Sequence, residues 1–455
     1  MNDSPAIGKR AAADQKMKIE HGPDGIILVT ARPLPSAQYR SVRQMLDHWA
    51  SATPERTILA ERDGGGRWHA VTYRDAHAAV SGIVSALSDR NLSVDRPILM
   101  VGRSDSGQAL LALGALCAGI PYAIVGADFV SEPESEEKLR KLINLLQPGL
   151  IHFDADPRLA DAVDRVAPAS VEFSGVFGKF AGRAVSRLED LILREPSPIA
   201  AAASCAVGLD TAARVHIELD SNGEAGGIVT THRMIWSNQA VLADIFPGVS
   251  LTAPAVFASP NWSDALGAIL SLDFALYTGG TLYLNLSPEA EDARGDAEWM
   301  GAPPGAEPSV FVVRSNRFDG LLDLLERDPV RATRWLGRVR NIVHDGGCVA
   351  GANLARLARL VGDAKSSELS VVSIDTAADL GLWAYSVAQV GEKAVDQSLD
   401  PVPGSNMKLV PTSDGHAARF KGDAITPGFW KARRRTSESF DEAGFYKSTQ
   451  VLQLG

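Results

Sequence analysis

The stretch Glu218-Leu-Asp-Ser-Asn-Gly-Glu-Ala-Gly-Gly-Ile-Val-Thr-Thr-His232-Arg-Met234 decides how the chain is read. It follows Val215-His-Ile-Glu-Leu219, expected to be a strand, and precedes a helical pattern from Met234 to Ile245. A turn of small residues between strand and helix, here Asp220 to Gly227 with Ile228 as the exit, presents successive backbone N–H groups and can cradle a phosphate. The charge such a turn usually borrows from a lysine is absent. The Gly-Lys-Ser/Thr ending of a Walker loop is also missing, and a Gly-rich turn that holds no ligand has the same composition.

On both sides of this turn strands and helices alternate. Upstream, Val42, Met45, Leu46 and Trp49 recur at helical spacing, and Thr57–Arg62 with Arg67–Thr72 form a hairpin around Asp63-Gly-Gly-Gly66. Thr72 and Asp75 have the spacing of a capping box for a helix that carries Val80, Ile83, Val84 and Leu87. The apolar run Pro97-Ile-Leu-Met-Val-Gly102 suits a strand buried on both faces; a helix from about Asp105 to Ala118, a strand Tyr122–Val125, a helix Glu136–Leu146 and a strand Leu150–Phe153 follow it. Residues 183–213, rich in Ala, Ser and Pro, read as a surface connector. Downstream come a strand Ala255–Ser259, one helix Asp264–Tyr277, a strand Gly280–Asn285, and buried strands at Ser309–Val313, Asn341–His344 and Leu369–Ser373. From Pro401 the Gly/Pro-punctuated pattern, including Ile425–Trp430, predicts a small all-β module. The expected architecture is α/β: two stacked α/β subdomains plus that module. Its expected divisions are 1–40 as N-terminal extension, 41–210 and 211–395 as the subdomains, and 396–455 as the module.

Composition bounds the function. A chain of 455 residues with 45% apolar and 22% charged residues buries a large core, and its net charge of -10 opposes a nucleic-acid surface. No signal peptide and no long uncharged apolar run occur, so a cytoplasmic protein without a membrane span is expected. Cys117, Cys205 and Cys348 are too scattered for a zinc or disulfide framework and are expected to be buried thiols. The charge run Glu132 to Lys141 reads as a solvated helix face.

Several further segments stand in register with the opening turn. They are Thr231-His-Arg-Met, Tyr277-Thr-Gly-Gly-Thr-Leu-Tyr283, Pro403-Gly-Ser-Asn-Met-Lys-Leu-Val-Pro411, Lys421-Gly-Asp-Ala-Ile-Thr-Pro-Gly-Phe-Trp430 and Phe440-Asp-Glu-Ala-Gly-Phe-Tyr446. Together they resemble the adenylate-forming (AMP-binding) acyl-CoA synthetase superfamily. Ala118-Gly-Ile-Pro-Tyr, Pro148-Gly-Leu-Ile and Thr426-Pro-Gly-Phe-Trp430 are most similar to feruloyl-CoA synthetase-type enzymes.

The resemblance implies the large N-terminal domain of such a synthetase and, by descent, ATP-dependent ligation of an aromatic or hydrophobic acid, such as ferulate, to coenzyme A. The family loop T-S-G-S-T-G-x-P-K-G falls on Glu218 to Gly227. Ser221, Gly223 and Gly227 match it, Asn222 lies between, Gly226 takes the lysine position, and Glu218 and Asp220 add carboxylates that repel a polyphosphate. The resemblance further implies Gly346, Gly347 and Cys348 beside the adenine, Gln450 at the ribose-gripping aspartate, and Asp379 at the Mg-holding acid. It places Trp262 and Asp264 in the acyl pocket, Asp264 standing where the family has histidine. The family's C-terminal lid, with its catalytic lysine, has no counterpart before Gly455, so no catalytic residue is assigned.

The expectation is therefore a pseudoenzyme with weakened ATP/AMP and Mg binding and coenzyme A by resemblance only. It would bind a small-molecule carboxylic acid or acyl-CoA; a homodimer or a separate lid polypeptide are the partners left open. Bland readings stand beside these: Asp379 as a helix cap or solvated acid, Trp262 as core, His232 as a satisfied structural histidine. Gly102-Arg-Ser-Asp-Ser106 has Ser where a nucleophile elbow needs Gly, and is read as a turn capped by Ser104.

Overall fold

A computed structural model describes residues 6–7, 17–34, 41–63, 67–126, 129, 135–153, 156–176, 179–180, 182–220, 224–246, 255–257, 262–284, 308–362, 369–391 and 398–454. Three sheets make up the described framework. The eight-stranded sheet runs Lys179–Phe180, Arg183–Arg187, Glu172–Gly175, Leu150–Phe153, Ile98–Val101, Tyr122–Val125, Ala212–Leu219, Ala225–Thr231. The nine-stranded sheet runs Asp400–Pro401, Gly381–Gln389, Ser370–Ala377, Asn341–Asp345, Pro308–Val313, Ala255–Phe257, Thr281–Leu284, Thr57–Arg62, Trp68–Thr72. Both are parallel in their centres and antiparallel at edge strands, as strand–helix alternation dictates.

Period-two alternation explains the layering. In strand Ile98–Val101, Ile98 and Met100 join one apolar cluster while Leu99 and Val101 join another. In the nine-stranded sheet Val310, Val312, Val343 and Val372 face that same first cluster, and Phe311, Val313, Ile342 and Val371 face a third. One core is thus shared between the two sheets, filled by helices Tyr73–Ser88, Ser106–Ala118 and His232–Ile245. Helix Tyr73–Ser88 begins with the expected capping box between Thr72 and Asp75.

The third, six-stranded sheet combines Asn406–Thr412, Gly415–Lys421 and Tyr446–Leu454 with strand Ala6–Ile7 and the N-terminal hairpin Met17–His21/Ile27–Ala31. Leu409, Ala418, Phe420 and Leu452 pack beneath it against Trp383 and Leu380. No helix among the described residues is long and apolar enough to cross a membrane.

Several local expectations are corrected. Residues 183–213 carry a strand, Arg183–Arg187, and two helices, Leu188–Ile192 and Pro198–Ala206, the second capped by Ser197. The turn after Gly102 is capped by Asp105, whose carboxylate accepts from Gln108 N at 2.7 Å; Ser104 is not the cap. The helix expected over Asp264–Tyr277 is two, Ala265–Ile269 and Leu272–Thr278, broken where Ser271 leaves helical geometry at φ -110, ψ -111. Residues 425–430 form no strand but a tight turn in which Thr426 Oγ1 donates to Val229 O at 2.7 Å and accepts from Gly428 N at 3.1 Å. Cys117 is buried as expected, whereas Cys205 is exposed and Cys348 half-buried.

Candidate functional site

The Gly-rich segment forms a hairpin rather than a strand-to-helix turn. Strand Ala225–Thr231 returns antiparallel to Ala212–Leu219, pairing Gly226 with Glu218 and Gly227 with Ile217. Asp220 N donates to Glu224 O at 3.0 Å, and the Asp220 carboxylate accepts from Glu224 N at 2.9 Å. Ser221, Asn222 and Gly223 lie outside the described residues. The helix starts at His232, where Thr231 Oγ1 accepts from Met234 N.

Glu218, Asp220, Glu224, Gly226 and Arg435 line a groove of about 430 Å3. Glu224 is held by Lys141 at 2.5 Å. The Arg435 guanidinium stacks on Phe429 at 3.7 Å from the ring centre and lies 3.7 Å from Glu218. One of its nitrogens is 2.9 Å from where a Cβ on Gly226 would stand, so the missing side chain leaves room for this arginine. Partial burial first, then the Asp379 carboxylate, push Glu218 above the usual carboxylate range, and Arg435 opposes them. Burial, then the same Asp379, likewise raises Tyr446. Asp379 therefore stands beside Glu218 and Tyr446, in the hairpin turn between Ser370–Ala377 and Gly381–Gln389, with its carbonyl accepting from Thr426 N at 2.9 Å.

Three carboxylates line this groove, with Glu218 beside Arg435 and Glu224 beside Lys141, so its cations are already engaged by acids and a polyphosphate would have to compete with them. Among the described residues no group of three His, Cys, Asp or Glu side chains could hold a metal ion, so Asp379 belongs to no such cluster there.

A second space, a partly open pocket, lies between the two large sheets. Its polar lining includes Tyr122, Arg214, His216, Asn238, Trp262 and Asp273. Arg214 donates to Asp273 at 2.5 Å and to Tyr122 Oη at 2.6 Å, a buried ion pair that leaves the wall without net charge. Asn238 Oδ1 accepts from Leu382 N at 2.9 Å. A Cβ on Gly381 would stand 2.5 Å from that same oxygen, and its φ of +64 also demands glycine. Trp262 is buried, and its Nε1 has no acceptor among the described residues. Burial holds His216 below the usual imidazole range, keeping it neutral.

Asp264 is not itself among the lining residues, although Ser263 and Ala265 on either side of it are. It caps helix Ala265–Ile269 by accepting from Gly267 N at 2.8 Å and pairs with Arg314, which also reaches Asp345 at 2.9 Å. Through Arg314, Asp264 is tied to the turn Gly346-Gly347-Cys348, where both glycines have positive φ, 73 and 65. Cys348 packs on the same cluster as Ala377 and Ala378, so this turn and the Asp379 turn are neighbours. Gln450 sits in strand Tyr446–Leu454, its N–H bonded to Ser448 Oγ at 3.1 Å.

His232, expected to be a satisfied histidine, is not: it is 3% exposed and neither ring nitrogen has a partner among the described residues. Arg435, Arg314 and the Arg214–Asp273 pair were not singled out from sequence. Two of them left a signal: a basic run Lys431-Ala-Arg-Arg-Arg435 after Gly-Phe-Trp for Arg435, and for Arg214 an arginine inside a strand rich in apolar residues.

No family model matches the sequence, and no curated protein matches it. Solved structures do. VinN superposes with a TM-score of 0.69 over 92% of this chain and 100% of that one, at 15% identity. ATP-bound MatB from Rhodopseudomonas palustris gives 0.67 over 90% and 75%, at 16% identity. The adenylation domain of a keto acid-selecting NRPS module, bound to a keto acyl adenylate, gives 0.71 over 92% and 79%, at 12% identity. At these identities the likeness is one of fold: this chain has the mixed α/β fold of the N-terminal domain of adenylate-forming enzymes.

Proposed function

We propose that this chain is a carboxylic-acid-binding protein built on the adenylate-forming fold, in which nucleotide chemistry is weakened to the point of a pseudoenzyme. By descent the reaction is ligation of an acid to coenzyme A through an acyl-adenylate, with ATP and Mg as co-reactants. The observation that carries the reading is the groove at the Gly-rich hairpin: Glu218, Asp220 and Glu224 line it while the lysine position is Gly226. A charge-assisted hydrogen bond to phosphate contributes about 1.5–3 kcal/mol, so its replacement by facing carboxylates weakens Mg–ATP binding by tenfold or more. Arg435 supplies a cation nearby, but Glu218 already pairs with it.

Acid-dependent exchange of pyrophosphate into ATP by the purified chain is the test. The expected outcome is no exchange above background, together with saturable binding of a carboxylic acid in calorimetry. Robust exchange with any acid overturns the pseudoenzyme reading. The feruloyl likeness makes ferulate the first acid to try.

A further inference from the structure

We infer that the Glu218–Arg435 pair is an internal plug: the Glu218 carboxylate guards the guanidinium that would otherwise receive a phosphate group, so the groove is closed by this chain's own acid and opens when that charge is removed. This rests on the weakened-nucleotide reading above and names how the weakening is built. Two observations carry it. The first is that Arg435 is placed by something other than Glu218. Its guanidinium lies on the Phe429 ring, 3.7 Å from the centre, and Phe429 is anchored at 8% exposure with its N–H donating to Thr436 Oγ1 at 2.9 Å. A guanidinium stacked by its face keeps its in-plane N–H donors for a bidentate contact with phosphate. One of its nitrogens is 2.9 Å from where a Cβ on Gly226 would stand, and Gly226, Glu218 and Arg435 line the groove together.

The second is that Glu218 holds this arginine loosely. Their 3.7 Å separation is wider than a hydrogen bond, unlike the 2.5 Å of Lys141–Glu224 or the 2.9 Å of Arg233–Asp210. With side chains 52% and 44% exposed, water screens the attraction. The Asp379 carboxylate also works against the charge on Glu218. The pair is therefore no structural brace, and neutralising the acid leaves the guanidinium on its ring. An anion arriving at Arg435 meets the Glu218 charge beside it, and the like charges repel. The other acids of the groove are engaged elsewhere: the Asp220 carboxylate with the Glu224 N–H, and Glu224 with Lys141.

Calorimetry without divalent cations, using inorganic phosphate, pyrophosphate and AMP against the full chain, tests the plug. Glu218→Gln keeps the shape and removes the charge. It is expected to tighten binding of all three by roughly tenfold or more, because the guanidinium meets only the phosphate group they share. Adding Arg435→Ala to Glu218→Gln is expected to return binding to the parent's level. Glu218→Ala carries the same expectation and replaces Glu218→Gln should that variant fold poorly. Equal and weak binding by parent and neutral variant, a gain that survives Arg435→Ala, or a gain confined to AMP overturns this inference and leaves the weakened-nucleotide reading intact. Equal and tight binding by parent and neutral variant overturns both.

Discussion

His232 is the residue where burial and chemistry conflict most plainly. Thr231 caps the helix, and the imidazole of the next residue is enclosed with both nitrogens unpartnered among the described residues. Burial first, and the nearby Arg214 charge second, lower its pKa from 6.5 to about 4. The unfolded chain therefore binds a proton between about pH 6.5 and 4 that the folded chain does not, and stability falls as pH drops through that window. The loss is of order 2 kcal/mol between pH 7 and pH 5. Asp375 works in the opposite sense. Burial raises it from 3.8 to about 6, so the folded state holds the extra proton and stability falls as pH rises from about 4 to 6. Each partly masks the other in the parent protein, so variants must be compared. Urea denaturation of His232→Leu is expected to show a smaller loss from pH 7 to pH 5 than the parent, and Asp375→Asn a larger stability than the parent at pH 7. Parallel pH profiles for His232→Leu and parent would sink the first expectation, and an unchanged midpoint at pH 7 the second.

At the scale of elements, the two glycines of the returning strand have different jobs. A Cβ on Gly227 would stand 2.6 Å from Val215 Cγ1 and 2.9 Å from the Trp430 Cβ, both anchored, because Trp430 N donates to Gly227 O at 2.7 Å. A Cβ on Gly226 meets only the far end of Arg435, a long and half-exposed side chain that can yield. Gly227→Ala is therefore expected to cost about 1–3 kcal/mol by overpacking, and Gly226→Ala much less; equal losses in thermal unfolding would refute the distinction. The sequence could not reveal this hairpin. Ala225-Gly-Gly has little intrinsic strand preference, and its pairing is supplied by Ala212–Leu219 and by the Thr426–Trp430 turn. Elements with their own signature were legible: the capping box at Thr72 and the continuous apolar run Ile98–Val101 appear where expected. The break at Ser271 carried no Gly or Pro to announce it. Of the candidate site, Trp262 lines the pocket, a place that only the family resemblance implied, since an aromatic ring by itself reads as core packing. Arg435 was not, since its role depends on a neighbour more than two hundred residues away.

Across the whole molecule, sheet membership does not follow chain order. The hairpin Thr57–Thr72 joins strand Thr281–Leu284, and Ala212–Leu219 joins Tyr122–Val125, so the two sheets are tied by the chain as well as by their shared core. The Arg214–Asp273 pair spans the same seam, from a strand of the eight-stranded sheet to the helix Leu272–Thr278. With side chains 12% and 2% exposed, both ions have been taken out of water, and that desolvation offsets much of their attraction. The pair is thus expected to set register between the halves more than to add net stability. Asp273→Ala, which strands the Arg214 charge in the interior, is expected to cost about 3–5 kcal/mol. The double change Arg214→Met with Asp273→Leu removes both charges while keeping volume, and is expected to recover most of that loss. Chemical denaturation of the two variants tests it: a double variant as unstable as Asp273→Ala would mean that the pair itself, and not the avoidance of a lone buried charge, holds the seam together.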